Sequence, residues 1–162
     1  SGKRLKMELD RFDKHILEIL THEDVNLNEL SERVNLSVSS VHRRIKQLID
    51  HNIISGLKRE INYQKLGFSL HVLLQVSLSK HDSDTFAKFL GELESIPEVI
   101  NAFLVTGQSA DFIVEVVARD MENYSEILLN KIGKIEHVVA LHSSFVIKEY
   151  NVFNCSGLLN KV

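Results

Sequence analysis

Six polar side chains that can make paired or charged hydrogen bonds crowd into one short stretch: Ser39, Ser40, His42, Arg43, Lys46 and Gln47. The apolar residues between and after them, Val41, Ile45, Leu48 and Ile49, recur at helical period. On such a helix Arg43 points almost directly away from the apolar stripe. Ser39, Ser40, Lys46 and Gln47 flank it, and His42 lies toward one edge. Arg and Gln bond bidentately to the edges of guanine and adenine, while Ser and Lys serve phosphates or bases. This face therefore has the chemistry to read double-stranded DNA. A solvated charged helix face has a similar composition, so the surroundings must decide between the two. Arg44 sits at the border of the stripe, where it can reach a phosphate or pair with an acid of a neighbouring helix.

The charge distribution favours DNA. Between Ser37 and Arg59 there are five basic residues (Arg43, Arg44, Lys46, Lys58, Arg59) and one acid, Asp50. The whole chain carries a formal charge of −3. An acidic protein with one basic segment concentrates its positive potential on a small surface. Lys3, Arg4 and Lys6 add to that surface if the N-terminus folds back.

The elements that must hold this face can be read from caps and periodicity. Ser37 is a helix cap, and its hydroxyl joins the candidate DNA-contacting set. Upstream, Asn26 caps a helix containing Leu30 and Val34, with Glu29 three residues on in the position of a reciprocal cap. Asn35 tolerates the left-handed backbone that ends helices. A third helix is expected over 9–20, capped by Asp10, with Asp13 in its first turn and Phe12, Ile16, Ile19 and Leu20 inward. These helices predict a core of Phe12, Ile16, Leu20, Leu30, Val34, Val41, Ile45 and Leu48. Beyond Gly56 an extended segment over 57–61 carries Lys58 and Arg59, placed as a wing along a phosphate backbone. The whole is the outline of a winged helix-turn-helix over 1–60.

After a linker over 61–67 the rhythm changes. Residues 71–78, 99–105, 112–118 and 138–147 read as strands, and 83–93 and 121–132 as helices. The order strand-helix-strand-strand-helix-strand predicts an α+β, ferredoxin-like βαββαβ unit over 68–150, followed by a C-terminal tail over 151–162. One face of its sheet has no helix to cover it. With so many apolar residues in the strands, it is expected to be buried against a second copy.

Other chemistry is sparse. The eight histidines are scattered, with no close spacing of metal ligands, and Cys155 is the single cysteine. There is no phosphate-binding Gly-rich loop and no nucleophile elbow. No catalytic residue, metal site or cofactor is therefore assigned, and the chain does not read as an enzyme. A lone cysteine, the absence of a signal-peptide pattern and the lack of an apolar run long enough to span a bilayer lead to an expected cytoplasmic location with no membrane partner.

Four local patterns carry a resemblance. They are Leu9-Asp10-x-x-Asp13-x-x-Ile16-Leu17; Leu36-Ser37 followed by Val41-x-Arg43-Arg44-Ile45-x-x-Leu48; Ile54-x-Gly56 followed by Leu66-Gly67; and Gly107 through Asp111 to Asp120-x-x-x-Tyr124. In this order and spacing, the chain from Leu9 to about Tyr150 resembles the Lrp/AsnC (feast/famine) family of bacterial and archaeal transcription regulators. The resemblance implies an N-terminal DNA-binding domain and a C-terminal effector-binding domain, called RAM. It also implies dimers made largely through the C-terminal sheets, often assembled into octamers, and an amino acid bound between dimers. The family's effector loop usually reads Gly-x-x-Asp. Here it is one residue longer, Gly107-Gln108-Ser109-Ala110-Asp111. Gly107 lets the backbone approach a carboxylate, Asp111 is placed to accept from an α-ammonium, and Thr106, Gln108 and Ser109 are candidate polar contacts. A bulged hairpin, with Gly107 at positive φ and Asp111 bonding the turn backbone, is the plain structural alternative. Sirohaem decarboxylases, similar in architecture, and effector-sensing oligomers without a DNA role are the competing functions. The basic face around Arg43 argues against the first, and the intact helix-turn-helix against the second.

Overall fold

The computed structural model describes residues 7–107, 109–152 and 155–162. The chain divides into two compact units. One is Ser1–Arg59 with Tyr150–Val162, the other Glu60–Glu149.

The first unit is built on three helices, α1 (Arg11–His22), α2 (Leu27–Val34) and α3 (Val38–Asp50). Each starts where a side chain can satisfy free amides. Asp10 accepts from the Phe12 and Asp13 amides, and Asp13 returns the bond to the Asp10 amide, a complete capping box. Asn26 accepts from the Glu29 amide, and Ser37 from the Ser40 amide. Ile16, Leu17, Ile19, Leu30, Val34, Val41 and Leu48 form the buried core, with Leu20, Leu36, Ile45 and Ile54 packed around it. Phe12 and Ile49, both expected inward, lie elsewhere. The Phe12 ring sits beneath the guanidinium groups of Arg11 and Arg44, and Ile49 is exposed.

The segment over 57–61 forms no strand ladder among the described residues, and Leu57 is 85% exposed. A β-ribbon needs a second strand, and the residues just upstream are used in turning the chain out of α3. The C-terminal segment is likewise more than a tail. It forms a short helix, α6 (Cys155–Leu159), which packs on α1. Leu159 joins the margin of the core, Ser156 donates to Glu18, and Lys14 Nζ donates to the terminal Val162 oxygen at 2.9 Å.

The second unit is a four-stranded antiparallel sheet in the order β2-β3-β1-β4, with β1 Leu70–Leu78, β2 Val99–Leu104, β3 Phe112–Ala118 and β4 Val138–Phe145. Helices α4 (Ser83–Glu94) and α5 (Met121–Glu126) cover one side. Alternate residues of the central strands, Val72, Leu74, Val76 and Leu78 with Phe112, Val114, Val116 and Ala118, meet Phe89, Leu93, Tyr124, Ile127 and Ile132 in the core. The second helix is not continuous to Ile132 as expected. After Glu126 it widens into a π turn (Ile127–Lys131) and then tightens into a 3-10 turn (Ile132–Lys134). Ile127 and Ile132 are five apart and both fully buried, which an i→i+5 turn allows and a regular α-helix does not. Gly133 makes the tightening possible: a Cβ there would come within 2.6 Å of the Leu128 carbonyl oxygen.

The other sheet face is mixed rather than apolar. Leu73, Ile113 and the exposed Phe103 share it with Gln75 and with a His71–Glu115 pair at 3.1 Å, a consequence of the polar residues that alternate with the core positions.

Candidate functional site

The turn between α2 and α3 is fastened locally, which fixes how α3 is presented. Asn35 adopts φ 56°, ψ 47°, the left-handed conformation its side chain tolerates. Ser31 Oγ donates to the Leu36 carbonyl at 2.7 Å, and the Leu36 amide donates to the Ser31 carbonyl at 3.1 Å. Leu36 is drawn inward, and Ser37 begins the next helix with its Oγ 3.2 Å from the Ser40 amide and 3.2 Å from Ser39 Oγ. Val41 and Leu48 are buried on the inner side of α3. Ser39, His42, Arg43, Lys46 and Gln47 are exposed, Ser40 half so. Their spacing places them on adjoining turns of one outer side.

Two kinds of cation separate here. Among the described residues, Arg43, Lys46 and Lys58 have no acidic partner. Arg44 turns the other way. Its Nη1 lies 2.7 Å from Asp10 and 2.9 Å from Asp13, and its side chain is only 17% exposed. The hydrogen bond to Asp10 keeps the Arg44 guanidinium more firmly protonated than usual, against the opposing effect of burial. Burial works against ionisation of Asp10, yet the Asp13 amide, the Arg44 guanidinium and the Phe12 amide together hold its carboxyl below the ordinary carboxylate range. Of the two roles open to Arg44, the structural one is what the geometry supports. Arg59 also has a partner, Asp24, although both side chains lie open to water, where such a pair contributes little.

The second set of residues lies at one end of the sheet. Thr106, Gly107 and Ser109 are exposed on the β2–β3 loop, and Gly107 has φ +95°. Gln108 lies outside the described residues. Asp111 is not free to the solvent. Its Oδ2 accepts from the Leu78 amide at 2.7 Å, its Oδ1 is 3.1 Å from Nε2 of His81, and its side chain is 16% exposed. Its backbone is tied on both sides, the amide donating to Val76 and the carbonyl accepting from Val105, each at 2.9 Å. Ser77 Oγ holds the loop further by donating to the Ser109 carbonyl at 2.9 Å. So Asp111 anchors the loop to the end of β1, a longer-range version of the turn-bonding alternative, and His81 is a neighbour that spacing alone did not reveal. The two residues are thirty apart, and only the antiparallel pairing of β1 with β3 brings them together.

A separate cavity of about 640 Å³ opens between α4 and the π turn, walled by Lys88, Phe89, Glu92, Lys131, Lys134 and His137. Among the described residues no group of three His, Cys, Asp or Glu side chains is arranged to hold a metal.

Comparison with known proteins bears on both sets. Residues 9–55 match a winged helix-turn-helix DNA-binding model, and residues 71–152 match the Lrp/AsnC ligand binding domain. The chain belongs to the Lrp/AsnC family. The Bkd operon transcriptional regulator of Pseudomonas aeruginosa is 31% identical over 87% of this chain and 92% of its own length. The leucine-responsive regulatory protein of Rhizobium meliloti is 31% identical over 90% and 93%. Among solved structures, a transcriptional regulator of Neisseria meningitidis in complex with L-Met superposes with TM-score 0.81 at 32% identity, over 90% of this chain and 94% of that one. Escherichia coli AsnC, at 22% identity and TM-score 0.77, shares the fold. The α+β organisation expected from the sequence, a helix-turn-helix followed by a ferredoxin-like sheet, is thus that of a family of transcription regulators.

Proposed function

We propose that the outer side of α3 enters the major groove of an operator, with Arg43 and Gln47 reading bases and Ser37, Ser39, Ser40, His42 and Lys46 contacting bases or phosphates. The observation that carries this reading is the run of exposed hydrogen-bonding side chains on α3 in which Arg43 and Lys46 lack acidic partners, beside an Arg44 held by two acids. Lys58 lies along the backbone, and Arg59 exchanges Asp24 for a phosphate on binding. The same unpartnered cations favour a regulator over a tetrapyrrole decarboxylase of similar architecture, which has no use for them.

The β2–β3 loop is the effector site in this reading, with an amino acid as the ligand class. Its support is the positive-φ Gly107 on an exposed loop with Thr106 and Ser109, together with the L-Met complex of the Neisseria relative. The open sheet face, where Leu73, Ile113 and Phe103 surround the His71–Glu115 pair, is covered by a second copy, and such dimers assemble further, an octamer being the expected form. The protein acts in the cytoplasm, as a binding protein and not a catalyst.

The test is fluorescence anisotropy of a labelled duplex from the promoter region next to its own gene, titrated with the full chain at several salt concentrations. Binding is expected, with log affinity falling linearly against log salt. No attraction to any duplex in dilute buffer contradicts the proposal.

A further inference from the structure

The two oxygens of Asp111 are held by groups of different mobility. Leu78, the donor to Oδ2, is the last residue of β1, and its amide cannot leave without peeling the strand from the sheet. His81, the partner of Oδ1, stands on the turn after β1 with its side chain 64% exposed, and it can swing into water about two side-chain bonds. An α-ammonium arriving at the effector loop therefore finds Oδ2 closed by the Leu78 amide and Oδ1 guarded by a group that can move aside.

We infer that His81 is a positioning residue that gates the effector site: it holds the Asp111 oxygen that an amino acid's ammonium needs, and the charge on its imidazole sets how hard it is to displace. This rests on the β2–β3 loop being the effector site. The direction follows from electrostatics. A neutral imidazole gives Asp111 one hydrogen bond, which water replaces at small cost once His81 turns outward. A protonated imidazole adds a full charge, so the ligand must break an ion pair while bringing its own positive charge toward another cation. Effector affinity is therefore higher where the imidazole is neutral, and so rises with pH.

The neighbours of His81 leave it as the group that responds. On its own turn stand Lys80 and Asp82. The Asp82 carboxylate is turned to the start of α4, where it accepts from the Thr85 amide and hydroxyl. From α4 comes the ring of Phe86, edge-on at 6.3 Å between centroids, which carries no charge. From the end of the β2–β3 loop comes Asp111 itself. The turn before β4 brings His137 and Glu136 near through Ser79, whose Oγ lies 3.1 Å from His137 Nδ1 and whose amide donates to the His137 carbonyl. His137 is the other imidazole near this turn, so it supplies the control.

The experiment is calorimetric titration of the full chain with L-methionine, the ligand of the Neisseria relative, at pH 5.5 and 7.5, with the other standard amino acids screened alongside by thermal shift. Wild type is expected to bind about fivefold more tightly at the higher pH, the most that a largely exposed ion pair supplies. His81→Gln, which keeps a hydrogen-bonding group but cannot titrate, abolishes the difference without changing the melting temperature of the unliganded protein. His137→Asn, suited to the positive φ of 73° at that position, keeps it. Equal affinity at both pH values in wild type, or an unchanged pH difference in His81→Gln, overturns the gate while leaving the loop as the site. No binding of any amino acid at either pH overturns the effector reading and the gate with it.

Discussion

The two units use charge in opposite ways. On the outer side of α3, Arg43 and Lys46 stand without acidic partners, whereas in the second unit Asp111 has its carboxylate engaged twice and His71, Lys131 and His137, at separate places, each lie against an acid. A surface that meets a polyanion gains from cations left uncompensated, because each phosphate neutralised releases a counterion. A site that holds a small zwitterion gains from groups already fixed in place, because a mobile loop must otherwise be ordered when the ligand binds. Neighbouring arginines on α3 show the same division inside one helix: Arg43 faces out and is free, Arg44 faces in and is locked.

The contrast is broken most strongly at Arg44. Arg44→Ala leaves Asp13, only 6% exposed, without its counter-charge, and is expected to lower the stability of the first unit by roughly 3 kcal/mol, read as a shift of the denaturant midpoint. The same cluster is expected to give the first unit a stability that falls at the acid end. Because the Asp10 carboxyl titrates below its usual value in the folded state, its contribution is present above about pH 4 and is lost as pH falls through the folded value. Arg44→Ala should reduce that dependence, and an unchanged acid profile would remove Arg44 from the cluster's energetics.

Arg43→Ala is expected to do the reverse. Stability should move by no more than about 0.5 kcal/mol, as for an exposed position, while discrimination between operator and random duplex falls by roughly 1–3 kcal/mol in competition assays. Unchanged discrimination would mean that Arg43 does not read a base. The smallest effect is expected at Lys58. Removing it should weaken binding to all sequences alike and flatten the salt slope by about one unit, and an unaltered slope would take the segment after Gly56 away from the phosphates.

What the sequence made legible follows from the range of the interactions involved. Asp10, Asn26 and Ser37 cap helices through amides two or three residues away, so residue type and spacing were enough to place the helix starts. The alternation in β1 and β3 and the ferredoxin-like order were readable for the same reason. Arg44 was legible only as a border position. Its acids lie more than thirty residues upstream, and the choice between phosphate and carboxylate depended on how α1 packs. The His81–Asp111 pair, the π turn that returns Ile132 to the core, and the docking of α6 on α1 have no local signature. Each is set by where a sheet or a neighbouring helix puts residues that are distant in the chain or out of regular helical phase. The mixed character of the open sheet face is hidden in the strands' overall composition, because apolar residues occur on both faces and only the register separates Leu73 and Ile113 from the core positions between them.

Which surface meets DNA is tested most directly by cross-linking. A duplex from the neighbouring promoter, substituted with a photoreactive thymine analogue, would be irradiated in complex with the full chain and the attached peptides sequenced. The account predicts attachment within α3, at Ser39, His42, Arg43, Lys46 or Gln47, with weaker attachment near Lys58. Attachment confined to the sheet unit, with α3 unmodified in a complex that binds, would contradict it.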